Sequence, residues 1–597
     1  MIGVALEGVC DKRRNVTPTA LAIGGELVRD GGHKLGPQLI CQLLMLSGHK
    51  SLVTYSVDYL ASLIVPHDLD AIRTAWAEKR LTIGPYTVEL RTGRQLWIRR
   101  NGSAVLISDL RRWSPGGLGD LCQSLGMTDP GEIARWDVVN DPQAAQALAV
   151  RMSLVYGEIA AVLDDACVNT RLPRYWRDGP GRLGGALLDS MARPLDVSLY
   201  PKAIEPEIFS AYYGGRIDLL AAGEFDEITQ LDIRSAYPWA MAQLPSLAGA
   251  TWKRRTQYDP AAEWAVWWCE WDIADGVRIG PFPVRVDDGT AYPRTGRGYY
   301  WSPEVRAALD AYGADITVRG GVQLDLGPDE RRPFADLAMY YAGRRGAKEA
   351  GLIPEAQLIK LSLNAAYGRL AQERLPDGTR GRWANIALAG MLTALVRARM
   401  LTAAQEYGKR VLAILTDSLT LEGDAVAHGA GAGLGEWSIK GGQDALLLPS
   451  GAYHVARGMA QLDRVAGLPL EQTRGLDWER VRNAWRSYGL IAERMGNMGW
   501  HLIEYPYYLG IGQAAALEGA ARYRVWMRAK WDVIGSPQRL QVLELGEGSR
   551  VYFRPAPLPD DARPGRYVPQ AALIGRRPHQ QHLSPRWTIR EIDQPTA

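Results

Sequence analysis

The chain of 597 residues has only five cysteines, Cys10, Cys41, Cys122, Cys167 and Cys269, and no CxxC pair among them. That spacing excludes a zinc ribbon and a disulfide framework and fits a reducing cytoplasm. No uninterrupted apolar run reaches the roughly 18 residues that a membrane span needs. No charged segment followed by an apolar one opens the chain, so the expectation is a cytoplasmic protein without a membrane partner. A charge excess is missing too: 69 Lys and Arg against 66 Asp and Glu leave a formal net charge of +3. Any nucleic-acid surface must then be a local groove and not a global surplus. No fixed-period repeat is visible.

What is there is an ordinary globular composition, 47% hydrophobic and 23% charged, long enough to divide among three or more lobes. Arg outnumbers Lys, and Ala and Gly are abundant, the mark of a GC-rich genome. The first part of the chain alternates short β-like runs ("YTVELRTG", "RQLWIRR", "SAVLISDL") with helical ones, as in a mixed α/β lobe. The helical stretch "AAQALAVRMSLVYGEIAAVLDDA" closes it, and the Gly, Pro and Arg-rich "TRLPRYWRDGPGRLGG" reads as a connector. From Glu227 to His454 strands flank a helical hairpin, "FADLAMYYAGRRGAKEA" and "EAQLIKLSLNAAYGRLAQ", broken by "GLIP". The remainder is rich in Arg and Trp and ends in a Pro-rich segment, "RPAPLPDDARPGRYVP".

One carboxylate stands out. In "VLAILTDSLTLEG", Asp417 interrupts an apolar run that reads as a hairpin bending at Thr416 to Ser418. A lone buried carboxylate is unfavourable unless something pairs with it. Asp232 sits at the end of another predicted strand, Ile228 to Ile233, before a turn at Ser235 to Pro238. If the two strands are neighbours, two like charges meet at one sheet edge, and divalent cations between them are the natural counterpart. For either Asp alone, turn capping is the ordinary role. The hairpin between them adds cations: Lys360, Asn364 and Tyr367 share a helix face, and Arg344 and Lys348 lie an i, i+4 step apart on the preceding helix, roughly opposite. Such a clamp suits a triphosphate, while its bland counterpart is a solvated basic face with a buried Tyr.

These segments resemble the catalytic motifs of family B DNA polymerases. "DIRSAYP" is similar to the first, "KLSLNAAYG" to the second and "LTDS" to the third, in the same order and spacing. "YYGGR", Tyr212 to Arg216, resembles the Tyr-any-Gly-Gly element that precedes them. The resemblance implies an α/β and α+β multidomain protein, a right-hand polymerase with palm, fingers and thumb behind an RNase H-like exonuclease-type domain. The implied division is 1–168 exonuclease-like, 169–226 connector, 227–333 and 376–455 palm, 334–375 fingers, and 456–597 thumb and tail. It implies Asp232 and Asp417 as ligands of two Mg²⁺ ions, with the Ile233 carbonyl assisting and Mn²⁺ as an alternative. It implies Tyr237 beneath the sugar as a barrier to a 2′-hydroxyl, Arg344, Lys348 and Lys360 on the phosphates, and Asn364 and Tyr367 in the base-pair pocket. Tyr212, Gly214, Gly215 and Tyr453 would contact DNA. The implied partners are primer-template DNA, dNTPs and a replication accessory or priming protein, in a bacterial host if the source is a phage or other mobile element.

The chain also departs from the family. Leu415 replaces the first Asp of the third motif, Ala413 its leading Tyr, and Ala365 the Ser of the second. Gly451 stands where a primer-holding Lys is expected, with Tyr453 retained. The amino-terminal lobe resembles the 3′-5′ exonuclease domain faintly: "VALEGVC" keeps Glu7 but has Ala5 for the first Asp, "TYSVDYLASLI" offers Asp58, and "RWDVVND" offers Asp141 with Asp137 at the usual Tyr. The expectation is a retained fold with nuclease chemistry lost or weak; an unrelated α/β lobe is the alternative. Gly368 to Leu415 is too short for the insertion of protein-primed relatives, favouring ordinary primer extension. "ERVRNAWRSYGLIAERMGNMGW" and "ARYRVWMRAK" carry the Arg and aromatic mix of a thumb or of amphipathic helices. Competing readings are a protein-primed or primer-independent enzyme and an inactive polymerase fold that binds DNA.

Overall fold

The computed structural model describes residues 1–10, 16–29, 34–64, 74–75, 77–91, 94–114, 118–128, 141–173, 175–191, 201–221, 223–274, 277–286, 289–328, 331–372, 381–448, 453–458, 477–487, 500–508, 524–532 and 541–545. Gly451, Asp137 and the Pro-rich segment lie outside them.

The amino-terminal lobe is built on an eight-stranded sheet in the spatial order Glu26–Arg29, Val16–Ile23, Ile2–Cys10, Ser51–Thr54, Ser103–Asp109, Gln95–Arg100, Tyr86–Arg91, Arg80–Ile83. Ile2–Cys10, Ser51–Thr54 and Ser103–Asp109 run parallel, and the outer strands join as antiparallel hairpins. Alternation sorts the first strand: Val4 and Leu6 enter one core, while Ala5 on the opposite face joins the core under helix Pro142–Asn169. Small residues there let the helix come close, and a Cβ on Gly3 would collide with the Ser153 carbonyl.

The segment read as a connector contains regular structure. Pro180–Met191 is a helix, with Leu183 to Leu188 buried. It packs so tightly on the second hairpin helix that a Cβ on Gly184 would lie 2.8 Å from the Ala365 and Ala366 backbone. The glycines that suggested a loop serve this close approach.

The second body is a six-stranded antiparallel sheet, ordered Tyr453–Gly458, Trp437–Leu447, Gly223–Ile233, Ser418–Glu422, Val411–Thr416, Arg216–Leu219. Strand Gly223–Ile233 is central and is followed by helix Ala236–Ala242, where the sequence suggested only a turn. Beneath runs helix Ile386–Tyr407, buried on nearly every side and capped by Asn385, whose Oδ1 accepts from the Ala387 and Leu388 N–H groups at 3.0 and 3.1 Å. A four-stranded sheet rich in Trp (Thr251–Arg255, Ile316–Asp325, Ala265–Asp272, Thr295–Trp301) adjoins it.

The helical hairpin is Leu337–Glu349 and Ile353–Leu370, joined through Gly351 at φ +74°. Helix Trp478–Ser487 docks on the six-stranded sheet through Arg482, 2.6 Å from Asp444. "ARYRVWMRAK" is not helical: Arg524–Asp532 is the middle strand of a three-stranded sheet, as suits its β-branched and aromatic residues. By length and mean hydropathy, helices Pro142–Asn169 and Ile386–Arg410 are apolar enough to cross a membrane, although polar and charged residues interrupt both. In this fold 83% of the second helix's apolar window is buried inside the protein.

Candidate active site

Strand Gly223–Ile233 delivers Asp232 to the sheet edge, flanked in register by Ser418 on one neighbour and Ser438 on the other. The adjacent hairpin turns on a single residue, Asp417, whose N–H donates to the Leu415 carbonyl at 2.7 Å. The Ile233 N–H donates to the Asp417 carbonyl at 2.9 Å, so the strand end and the hairpin tip are bolted together by backbone. The two acids are thereby neighbours. Two residues beside them carry unusual backbone: Thr416 has φ +62° and Ser235 φ +49°. A β-branched residue in that region is strained by the order of 1–3 kcal/mol, which the surrounding sheet must offset.

Electrostatics agree with the geometry. Burial and the nearby Asp232 push the Asp417 carboxyl up to about 6, and burial raises Asp232 as well, opposed by Lys440 and Arg234. Two half-buried acids, both raised by burial and one of them further by the other, are an incompletely compensated negative site.

Above them two aromatic rings stack. Tyr237, on helix Ala236–Ala242, lies 4.4 Å from Tyr367 of the hairpin, centroid to centroid, with planes 14° apart. Burial, then each other's proximity and Asp417, push Tyr237 well above the usual phenol range. Lys360, two turns before Tyr367, is lowered by burial and then by Arg344 and Lys348, so the three cations do converge. Arg344 also reaches toward Ser235 Oγ at 3.5 Å. Asn364 is exposed one turn beyond Lys360 on the same helix.

The segment Tyr212 to Gly215 has no regular structure and lies against this cluster. A Cβ on Gly215 would sit 2.5 Å from Thr416 Cγ2 and 2.7 Å from the Tyr237 hydroxyl, so any larger residue must push those side chains aside. Arg397, from the buried helix, donates through Nη1 to the Tyr213 and Gly214 carbonyls at 2.5 and 2.7 Å. Neither Arg397 nor its partner Glu304 was picked out in the sequence. The argument that singled out Asp417 applies to it equally: Arg397 is a charge inside a long apolar helix.

Tyr453 is not brought to the pair. It faces Leu447, whereas Asp232 faces Ser438, nine residues earlier on the same strand and roughly 30 Å away at ordinary strand rise. A cleft of about 1040 Å³ lined by Trp268, Trp271, Arg285 and Tyr299 opens on the Trp-rich sheet and holds neither Asp232 nor Asp417.

The acids of the amino-terminal lobe are arranged differently. Glu7 is 3% exposed and accepts from the Tyr59 hydroxyl at 3.1 Å. Asp58 lies in the first turn of helix Val57–Ile64. Asp141 caps helix Pro142–Asn169, accepting from the Gln143 N–H at 2.9 Å. The buried acid next to Asp58 is Asp109, missed in the sequence, which accepts from the Val57 and Arg111 N–H groups at 3.1 and 2.8 Å. Burial lifts it to about 7, over the opposing effect of those bonds. Among the described residues, no three His, Cys, Asp or Glu side chains gather closely enough to hold a metal ion. The palm itself supplies two.

Sheet, hairpin and helix are thus arranged in the right-hand fold of compact DNA polymerases. The fold is shared with Phi29 DNA polymerase. Its complex with primer-template DNA and incoming nucleotides superposes with a TM-score of 0.61 at 15% identity, over 89% of this chain and 99% of that one. Its binary complex with primer-template DNA gives 0.58 at 15% identity, over 80% and 94%. In sequence, the chain is 21% identical over 284 residues to the DNA polymerase of Acidianus bottle-shaped virus (isolate Italy/Pozzuoli), a match covering 45% of this chain and 42% of that protein. No protein-family model matches the chain.

Proposed function

We propose that the chain is a DNA-directed DNA polymerase that extends a primer 3′ end with dNTPs, its proofreading nuclease lost or weak. The observation that carries this reading is the convergence of Asp232 and Asp417 at one sheet edge, where the backbone bolts them together and Asp232 raises the proton affinity of Asp417. An uncompensated pair of carboxylates is a donor set that fits hard divalent cations, which take oxygen ligands and complete their shells with substrate phosphates. Asp232, Asp417 and the Ile233 carbonyl would hold Mg²⁺ there. When bound, such ions activate a 3′-hydroxyl and neutralise the leaving pyrophosphate.

The chain's own residues do the rest. Lys360, Arg344 and Lys348 attract the triphosphate from the hairpin side, where burial of Lys360 and its cationic neighbours favour an anionic ligand. Tyr237, held by Tyr367 on one side and Gly215 on the other, presents a rigid edge to the sugar and excludes a 2′-hydroxyl. Asn364 and Tyr367 bound the base-pair pocket. DNA binding rests mainly on phosphates and is salt-sensitive. In the amino-terminal lobe, Ala5 in place of an acid, Glu7 engaged by Tyr59 and Asp141 spent as a cap support a degenerate nuclease.

Extension of a labelled primer-template with Mg²⁺ and dNTPs tests the reading, wild type beside Asp417→Ala. Equal signal from both rejects the assignment. Absence of signal from both, with DNA still bound, favours an inactive DNA-binding module. Extension without an annealed primer points instead to a protein-primed or primer-independent enzyme.

A further inference from the structure

Arg397 and Glu304 form an almost fully buried ion pair, Nε to Oε1 at 2.7 Å and Nη2 to Oε2 at 2.8 Å. Such a fork-to-fork pair fixes a guanidinium in plane as well as in place. Glu304 lies in the first turn of helix Ser302–Tyr312, and Arg397 midway along the buried helix Ile386–Tyr407, so both ends stand on rigid elements. The remaining guanidinium nitrogen, Nη1, reaches outward to the Tyr213 and Gly214 carbonyls. A second arginine holds the same segment from outside: Arg285 lies over the Tyr213 ring at 4.3 Å and donates to the Phe209, Ser210 and Tyr212 carbonyls. Tyr213 in turn stacks on buried Tyr300, 6.1 Å away. An otherwise irregular segment is therefore pinned from both sides, and its next residue is Gly215, within van der Waals reach of the Tyr237 hydroxyl and of Thr416 beside Asp417.

We propose that the buried Arg397–Glu304 pair is the positioning device of the sugar gate: through the Tyr213 and Gly214 carbonyls it sets Gly215 against Tyr237 and so fixes how closely the chain discriminates dNTPs from rNTPs. This rests on the polymerase reading and on the gate role of Tyr237. Neither Arg397 nor Glu304 touches substrate; both act through the loop. A gate ring backed by a pinned backbone cannot tilt away from a 2′-hydroxyl, whereas one backed by a slack loop can. Misplacement by about an ångström at such a contact changes rates by up to about a hundredfold.

The test measures kcat/KM for a dNTP and for the matching rNTP on a primed template, for wild type, Tyr237→Ala, Arg397→Lys and Gly215→Ala, with melting temperatures for each. Lysine keeps the charge but not the fork, so the loop loses a tether; alanine at position 215 leaves the ion pair intact and pushes on the Tyr237 ring. The expected result is a dNTP-to-rNTP ratio lowered by about tenfold or more in Arg397→Lys and Gly215→Ala, in the direction of Tyr237→Ala. A merely structural role would lower both rates together and leave the ratio where it was, which overturns the proposal. If Arg397→Lys does not fold, Gly215→Ala decides, and an unchanged ratio there overturns it equally. A ratio unmoved by Tyr237→Ala brings down the gate reading and this inference with it. A shift in Tyr237→Ala alone brings down only this inference.

Discussion

The six-stranded sheet and the amino-terminal lobe both carry candidate acids, but they satisfy them in opposite ways. In the lobe, Glu7 accepts from Tyr59, Asp109 from two backbone N–H groups and Asp141 from the helix it caps. In the palm, Asp232 and Asp417 are drawn together by backbone bonds and left facing each other. An acid whose lone pairs are already engaged stabilises a fold; an acid held against another acid stores a demand for cations. The same side-chain chemistry is thus satisfied within the protein in one place and, on the function proposed above, left for metal ions in the other.

The contrast can be broken most directly by neutralising one acid in each region. Asp232→Asn is expected to reduce primer extension by at least about a thousandfold, while Glu7→Gln leaves trimming of a 3′-mismatched strand at the wild-type level. Extension that stays within tenfold of wild type, or strong trimming that Glu7→Gln abolishes, would erase the distinction. Next in size is Lys360→Ala, expected to raise KM for dNTPs by about tenfold with a smaller change in kcat. An unchanged KM in steady-state kinetics would separate the cationic cluster from the phosphates.

The stability of the metal-free protein sharpens the comparison. Asp417 keeps its proton up to about pH 6 in the fold, against 3.8 ordinarily. Between those values the native state binds more protons than the unfolded chain, so this group's contribution is present at low pH and lost as pH rises toward 6. Melting temperature should fall across that window, less so in Asp417→Asn, and Mg²⁺ added at pH 7 should recover it in wild type only. A pH profile identical in the variant would show that the pair is not under tension. Smallest of all is Tyr59→Phe, which removes one hydrogen bond to Glu7 and is expected to lower unfolding free energy by about 1 kcal/mol with extension unchanged. Chemical denaturation measures the first and the primer assay the second.

Much of this was legible in the residues. The hairpin of "RVLAILTDSLTLEG", the strand ending at Asp232 and the two helices around Gly351 follow from apolar periodicity and breakers, and they carry most of the candidate site. Helix Ile386–Tyr407 escaped because it is buried on nearly all sides and so shows no amphipathic period. Helix Pro180–Met191 escaped because its glycines look like punctuation, although Gly184 is there for contact with a neighbouring helix. Asp109 and Glu304 carry no local signal, since their meaning lies in partners distant in sequence. The distance of Tyr453 from Asp232 was not legible for a related reason: a motif gives order along the chain, while register along Trp437–Leu447 decides how far a residue stands from Asp232.

The close seat of Pro180–Met191 has one more consequence. The second hairpin helix is anchored along its length, at Glu355 by the Asn169 amide at 2.7 Å, at Ala365 and Ala366 by Gly184, and at Arg369 by the Gly181 carbonyl at 2.7 Å. The first, Leu337–Glu349, shows most of its residues to solvent. The two blades of the hairpin are therefore seated unequally, one packed against the body of the protein and the other largely bathed in solvent. Lys360 stands on the packed blade and Arg344 and Lys348 on the exposed one, so the cationic cluster is shared between a rigid support and a solvated one.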